Sequence, residues 1–390
     1  MTSLFADIGF RSLNKYGEQI CGDHVQVHTL PDNSPVVVLA DGLGSGIKAN
    51  ILSTLTSQIM ATMLANNLPL EVCLETMVKT LPICEVRGIA YSTFSVIRLL
   101  QNEEAEILQY DNPHVILLRN GRHVEFPKQK LEIDGKTVFK SKLYIHENDI
   151  FIMLSDGAIH AGIGNELNYG WQRENIIRFV EDVYIPEFTA KTIATMVSDQ
   201  CDKLYGHKPG DDTTVCVIRM RKRKAANVII GPPSDPSSDD RLMEDYLSTS
   251  GKRVICGGTT AKIAARYLKK DIVSDCHYLD PEIPPTASIE GIDLVTEGIL
   301  TVNRCLVYAK NYLEDNTHYA TWAYKKDGAS RLSRVLFEEA TDINFFVGKA
   351  VNPAHQNPDL PIDFSIKMRL VEQLSESLGE MGKQITIRYY

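Results

Sequence analysis

Closely spaced cysteine pairs are missing from this chain. Its 8 cysteines (Cys21, Cys73, Cys84, Cys201, Cys216, Cys256, Cys276 and Cys305) are scattered through 390 residues, mostly inside apolar stretches, with no C-x-x-C pair. A disulfide framework or a zinc site needs tighter spacing, so buried reduced thiols are expected. No apolar run approaches the ~18–20 residues of a membrane span. Residues 1–7 lack the basic start and apolar core of a signal peptide. A cytoplasmic protein that does not engage a membrane is therefore expected. Basic residues are the minority: Lys and Arg number 41 against 50 Asp and Glu, a net charge of −9. That argues against a generic nucleic-acid binder, which needs a basic face to displace phosphate counterions. Phosphate-handling signatures are missing too. There is no Cys-x5-Arg loop, no glycine-rich loop closed by lysine and no G-x-G-x-x-G fingerprint.

What is present reads as an ordinary globular chain, 44% apolar and 23% charged. Single cores stop growing near 250–300 residues, so two domains are expected, 1–224 and 225–390. The seam is the basic cluster Arg219, Arg221, Lys222, Arg223 and Lys224, read as a solvated connector. The loop Gly231-Pro232-Pro233-Ser234-Asp235-Pro236-Ser237-Ser238 follows it. Before the seam, β-like runs fall at 36–40, 92–100, 105–110, 115–118, 123–126, 142–145, 150–154 and 213–220. Asn120-Gly121 and Asp134-Gly135 mark hairpins between such runs. Helical spacing predicts helices over 47–64, 70–81, 175–183 and 189–204. After the seam strand and helix alternate, from 228–230 and 241–247 through 254–256 and 260–268 to 294–296 and 300–313. Helices then dominate to Gly382 and a closing strand spans 384–388. The expected architecture is antiparallel α+β first and a layered α/β domain second.

Four aspartate positions stand out. Asp23 follows Gly22. Asp41 ends an apolar run and begins Asp41-Gly42-Leu43-Gly44-Ser45-Gly46. Asp156 follows another apolar run and precedes Gly157. Asp211-Asp212 follows Gly210 and opens a third. Each lies at the end of a strand expected to be buried. If those ends converge, several anions share a partly dry site, and a divalent cation resolves the repulsion. All-oxygen ligation suits Mg2+ or Mn2+. The bland alternative for any one Asp-Gly is a turn.

As an ordered set, Asp23, Asp41-Gly42-x-Gly-x-Gly, Ser155-Asp156-Gly157 and Gly210-Asp211-Asp212-Thr213-Thr214-Val215 resembles the PPM family of metal-dependent protein phosphatases. The similarity is to the bacterial branch typified by the sporulation stage II protein E phosphatase and runs from about residue 5 to 220. Arg87-Gly88-Ile89-Ala90-Tyr91-Ser92-Thr93-Phe94 and Tyr110-Asp111-Asn112-Pro113-His114 resemble further features of that branch. The resemblance implies a β-sandwich of two antiparallel sheets flanked by helices, with two metal ions, Mn2+ or Mg2+, at one end. It implies that Asp41 bridges the metals, that Asp156 and Asp211 complete one shell, and that Asp23 and the Gly42 carbonyl hold the other ion. Asp212 would stand behind these ligands. The substrate implied is a phosphorylated protein.

Departures accompany it. Leu43 stands where eukaryotic members often carry histidine, Ser45 where the branch commonly has histidine, and His160 where it often has an acid. His160 is weighed as a general acid against a plain helix-start histidine, and Asn112 and His114 are read as fixing a turn. Arg11 is the one loose candidate for a phosphate clamp. In the second half, Cys256-Gly257-Gly258-Thr259-Thr260 reads as strand, turn and helix start. Gly257, Gly258, Thr259 and Thr260 are thus a candidate anion site, against a turn-and-cap alternative. Asp239, Asp240 and Glu297 are polar candidates on neighbouring loops. The function expected is a serine/threonine phosphoprotein phosphatase carrying a C-terminal sensor or partner-docking domain with a nucleotide or phosphate-bearing ligand. The alternatives are a phosphatase-like signalling scaffold, or a C-terminal domain acting on a phosphorylated metabolite. The helix over 47–64 is a candidate for pairing two copies.

Overall fold

A computed structural model describes residues 4–32, 34–80, 92–133, 135–275, 282–350 and 362–390. The chain separates into two compact units, Met1–Lys222 and Arg223–Tyr390.

The first unit contains strands β1 (Leu4–Leu13), β2 (Asp23–Thr29), β3 (Pro35–Gly42), β4 (Ser92–Leu100), β5 (Glu104–Tyr110), β6 (Ile116–Arg119), β7 (Arg122–His123), β8 (Gln129–Ile133), β9 (Lys136–Tyr144), β10 (Asp149–Leu154) and β11 (Thr213–Lys222). Its helices are α1 (Gly46–Ala65), α2 (Leu70–Thr80), α3 (Asp156–His160), α4 (Gln172–Val183) and α5 (Ala190–Leu204). The strands form two antiparallel sheets, ordered β1-β11-β10-β6-β7 and β2-β3-β4-β5-β9-β8.

The continuous apolar runs of β3, β10 and β11 follow from burial on both faces. In β3, Val37 and Leu39 meet Phe151, Met153 and Ile218 of the other sheet, whereas Val36, Val38 and Ala40 face α1 and α2. Ile150, Ile152, Val215 and Val217 cover the opposite face of the five-stranded sheet, beneath α3, α4 and α5. A strand with two buried faces has no polar side to alternate.

The second unit contains β12 (Ala225–Ile230), β13 (Lys252–Cys256), β14 (Val273–Ser274), β15 (Ala287–Ile289), β16 (Ile292–Thr296), β17 (Asp342–Val347) and β18 (Gln384–Tyr389). Its helices are α6 (Asp239–Ser248), α7 (Gly258–Leu268), α8 (Ile299–Glu314), α9 (Tyr319–Trp322), α10 (Gly328–Ser333) and α11 (Ile362–Glu380). One sheet runs β14-β15-β16-β13-β12-β17-β18. The five strands from β16 to β18 in that order are parallel, and β15 and β14 add an antiparallel edge. One face packs α8, α10 and α11 on Val228, Val254 and Phe345. The other packs α6 and α7 on Ile229, Ile255 and Phe346.

Several expectations are corrected. The basic cluster is a solvated connector only in its last part: β11 runs on to Lys222 with Arg219 and Arg221 buried, and Arg223 and exposed Lys224 link it to β12. Arg219 donates to the carbonyls of Pro186 and Phe188, and Arg221 lies 3.6 Å from Asp7, itself buried. The strand at 123–126 shrinks to Arg122–His123. Helices dominate from α8 to Gly382, but the inner strand β17 among them was not expected. The Asn120-Gly121 turn is present, with φ of 51° and 77°, whereas Asp134 lies outside the described residues. Residues 87–91 of the resembling motif, Cys84, Cys276 and the expected helix end at 81 also lie outside them. Cys73, Cys201, Cys216, Cys256 and Cys305 are buried free thiols, and Cys21 is a partly buried one. Among the described residues no helix is long and apolar enough to cross a membrane.

Candidate functional site

The two sheets of the N-terminal unit bring their carboxylates to one end. Asp23 opens β2 and pairs in register with Asp41 near the end of β3. Asp156 is the first residue of α3, directly after β10, and Asp211 and Asp212 precede β11. The β10 and β11 ends are tied together: Ser155 N–H donates to the Thr214 carbonyl at 3.0 Å, and Thr214 N–H to Ser155 Oγ at 2.8 Å. Gly42 lets α1 sit close on β3, for a Cβ there would stand 2.1 Å from the Ala49 carbonyl oxygen.

Burial is the first cause of the raised pKa of Asp23, Asp41 and Asp156, and their neighbours add to it. Asp23, 4% exposed, also feels Asp212 and Asp156. Asp41 feels Asp23, Asp156 and Asp211, and its carboxyl hydrogen-bonds that of Asp156. Asp212 is likewise raised by burial, then by Asp211, while backbone donors including Lys15 N–H pull it down. Each shift records the same conflict of like charges in a poorly solvated place.

Above the carboxylates opens a cavity of about 830 Å3, lined by Asp41, Gly42, Asp156 and Asp211 among others. Lys15, which no motif in the sequence singled out, is the basic residue here. Its Nζ lies 3.7 Å from Asp211 Oδ1, and its backbone N–H donates to Asp212 Oδ1 at 3.0 Å. His160, Asn112 and His114 line the same cavity. Asn112 accepts a hydrogen bond from Thr93 Oγ1, and His114 stacks edge-on against Phe139 with ring centroids 4.8 Å apart. Leu43 also lines the cavity, while Ser45 Oγ donates to Glu18 Oε1 at 3.2 Å. Arg11 is corrected as a clamp: it pairs with Asp199 and is not part of the cavity wall.

The donor set suits a hard cation. Both Asp23 oxygens and Asp212 Oδ2 are buried without a donor in regular geometry, despite the Ser155 and Thr214 hydroxyls beside Asp23. Buried carboxylate oxygens left this way are costly unless a proton or cation meets them. Among the described residues, no three His, Cys, Asp or Glu side chains already stand close enough to form a cation cage. The carboxylates converge without closing a coordination shell. The other candidates, Gly257, Gly258, Thr259 and Thr260 with Asp239 and Glu297, belong to the C-terminal unit and line a separate cavity, whereas Asp240 is not part of its wall.

Residues 31–221 match the family model described as stage II sporulation protein E (SpoIIE). Among solved structures, the SpoIIE phosphatase domain with a fragment of its regulatory domain, from Bacillus subtilis, is 20% identical with a TM-score of 0.50. That match covers 57% of this chain and 65% of that one. The phosphatase domain of the same protein in a crystal form without domain swapping is 19% identical, with 57% and 95% coverage and a TM-score of 0.45. RsbX in complex with magnesium is 18% identical, with 55% and 95% coverage and a TM-score of 0.40. No curated protein sequence matches the chain.

Proposed function

Starting from an N-terminal unit whose residues 31–221 match the stage II sporulation protein E family model, we propose that this chain is a metal-dependent phosphatase of phosphoserine and phosphothreonine in proteins. The observation that carries the reading is the meeting of five aspartates from four separate chain segments: Asp41, Asp156 and Asp211 line one open cavity, and Asp23 and Asp212 lie buried beside them, within reach of their charges. Asp23, Asp41, Asp156, Asp211 and the Gly42 carbonyl are the groups that would hold Mn2+ or Mg2+, with Asp212 behind them. Divalent cations bound there supply a water of lowered pKa and neutralise charge on the transferring phosphoryl oxygens. The chain's own part is to gather these carboxylates in a poorly solvated place where a cation, in place of protons, neutralises them, and to present Lys15 at the wall where an anionic substrate enters. No thiol nucleophile is required, and the described cysteines are free thiols, five of them buried. The reducing cytoplasm is the compartment that suits them.

Because the carboxylates do not close a cation cage as they stand, a scaffold that binds metal weakly is the second reading. One experiment separates them: hydrolysis of an aryl phosphate and of a phosphoserine peptide by the full chain with Mn2+. The phosphatase reading expects turnover that Asp41→Asn lowers about 10³-fold, since losing several kcal/mol of charge stabilisation costs a factor of ten per ~1.4 kcal/mol. Activity unchanged in that variant would remove Asp41 from the chemistry, and absence of turnover with any divalent cation would favour the scaffold. The C-terminal unit is, on this proposal, the regulatory part of the molecule.

A further inference from the structure

The parallel strands of the C-terminal unit start in the middle of their sheet. The chain runs outward from β12 through β13 to β16, then returns to the other side of β12 with β17 and moves out to β18. Where the direction reverses, between β12 and β17, the connections diverge and leave a crevice beyond the carboxyl ends of the strands. A cavity of about 990 Å3 lies at that edge. It is lined by Gly231 after β12, Gly257 after β13, Gly298 after β16 and Ala350 after β17.

One wall of the cavity is built for an anion. Gly257 has φ 130°, a conformation that a side chain disfavours. It stands at the N-cap of the eleven-residue α7 and contributes no side-chain cap. The first N–H groups of α7 therefore point outward without a protein acceptor at the cap, at the positive end of the helix dipole. A second feature is independent of the helix end. Thr260 is fully buried, lines the cavity, and its Oγ1 has no hydrogen-bond partner. That hydroxyl lies 3.4 Å from the place a Cβ of Gly257 would occupy, so it faces the turn. A threonine that merely capped the helix would not be left this way, and a buried hydroxyl with no partner calls for one.

Charge and shape narrow the ligand further. Lys262, Arg266 and Lys367 line the cavity against Asp239 and Glu297, a positive balance in a chain of net charge −9. Arg266 is held to Asp239 at 2.7 Å, and Lys367 donates to the carbonyls of Gly348 and Ala350. The rest of the wall includes Ile230, Pro232, Pro233, Ile299 and Leu300. A phosphate ion alone fills little of such a space, which lies at the upper end of the ~300–1,000 Å3 usual for small-molecule pockets. We propose that this cavity binds a nucleotide, with its phosphate on the turn of Gly257, Gly258, Thr259 and Thr260 and its base against the apolar wall.

Isothermal titration of the full chain in EDTA tests this, because chelation keeps cation-mediated phosphate binding at the N-terminal carboxylates out of the signal. The probes are adenine and guanine nucleotides, their nucleosides and inorganic phosphate. The expected result is saturable binding of at least one nucleotide, at least tenfold tighter than its nucleoside and than phosphate. Gly258→Asp sets a carboxylate on the turn, and a Cβ at Gly258 meets nothing within 4 Å. It should weaken that nucleotide at least tenfold while leaving the melting temperature of the free protein unchanged. Lys262→Glu, on an exposed helical position, should weaken it several-fold. Lack of binding by every nucleotide in the panel overturns the proposal. So does phosphate or nucleoside binding as tight as the nucleotide, or wild-type affinity in both variants.

Discussion

Asp23 shows how a single carboxyl couples the proposed chemistry to stability. Its ordinary pKa is 3.8, and burial raises it in the folded chain; Asp41 and Asp156 shift the same way. Above pH 3.8 the unfolded chain loses these protons while the metal-free native state keeps them. The native state then binds more protons, so stability falls as pH rises from the ordinary value through the folded ones. Chelated protein should accordingly melt several degrees lower at pH 8 than at pH 5.5, given about 2–4 °C per kcal/mol for a unit of this size. Mn2+ should raise the melting temperature more at pH 8 than at pH 5.5, and Asp41→Asn should flatten the pH dependence of the chelated protein. A melting temperature that climbs with pH in EDTA, in wild type and variant alike, would contradict the conflict of charges described here. The four aspartate positions were legible in the sequence because glycines punctuate strand ends that are apolar on both faces. Lys15 was not, because it lies in a loop and reaches Asp211 and Asp212 from nearly 200 residues away in the chain.

At the scale of elements, legibility followed burial. β4 and β10 were readable as apolar runs. β1, β2 and β8 were missed because polar side chains interrupt their patterns: Asp7 of β1 is buried beside Arg221 and accepts from Ala190 N–H at 3.0 Å, at the start of α5. β2 and β8 are largely exposed or half-buried. The helix over 47–64 was expected from apolar spacing, yet in α1 Ile47, Ile51, Leu55 and Ile59 face outward while Ala49, Ser53, Ser57 and Met60 are buried. Small side chains sit inward because α1 lies so near β3 and β2. That closeness makes Gly42→Ala a sharp test. The added methyl would sit 2.1 Å from the Ala49 carbonyl oxygen, and backbone cannot swing aside as a long side chain can. A cost of about 1–3 kcal/mol is expected, the usual range for overpacking, read as a lower urea midpoint at unchanged slope. If the variant is as stable as wild type, the approach of α1 to β3 is looser than described.

For the molecule as a whole, each unit has hydrophobic clusters made of its own residues. Val37, Phe151 and Ile218 belong to a core of the first unit, and Val228, Trp322 and Phe345 to one of the second. Units with separate cores unfold as separate cooperative blocks unless a large interface couples them. Calorimetry of the full chain should therefore resolve two transitions. Mn2+ should move the one that Gly42→Ala lowers, and the nucleotide should move the other, since a ligand stabilises only the block that holds its site. Saturation at ~100 times Kd is worth about 2.7 kcal/mol, enough to separate the peaks by several degrees. A regulatory role adds a stricter requirement. Binding at one site must change affinity at the other, and by linkage the effect is reciprocal, typically about 1–3 kcal/mol. With both ligands present, the Mn2+-sensitive transition should then shift by a few degrees beyond its position with Mn2+ alone, and Gly258→Asp should erase that extra shift. Strictly additive shifts would leave the second unit a nucleotide binder that does not govern the first.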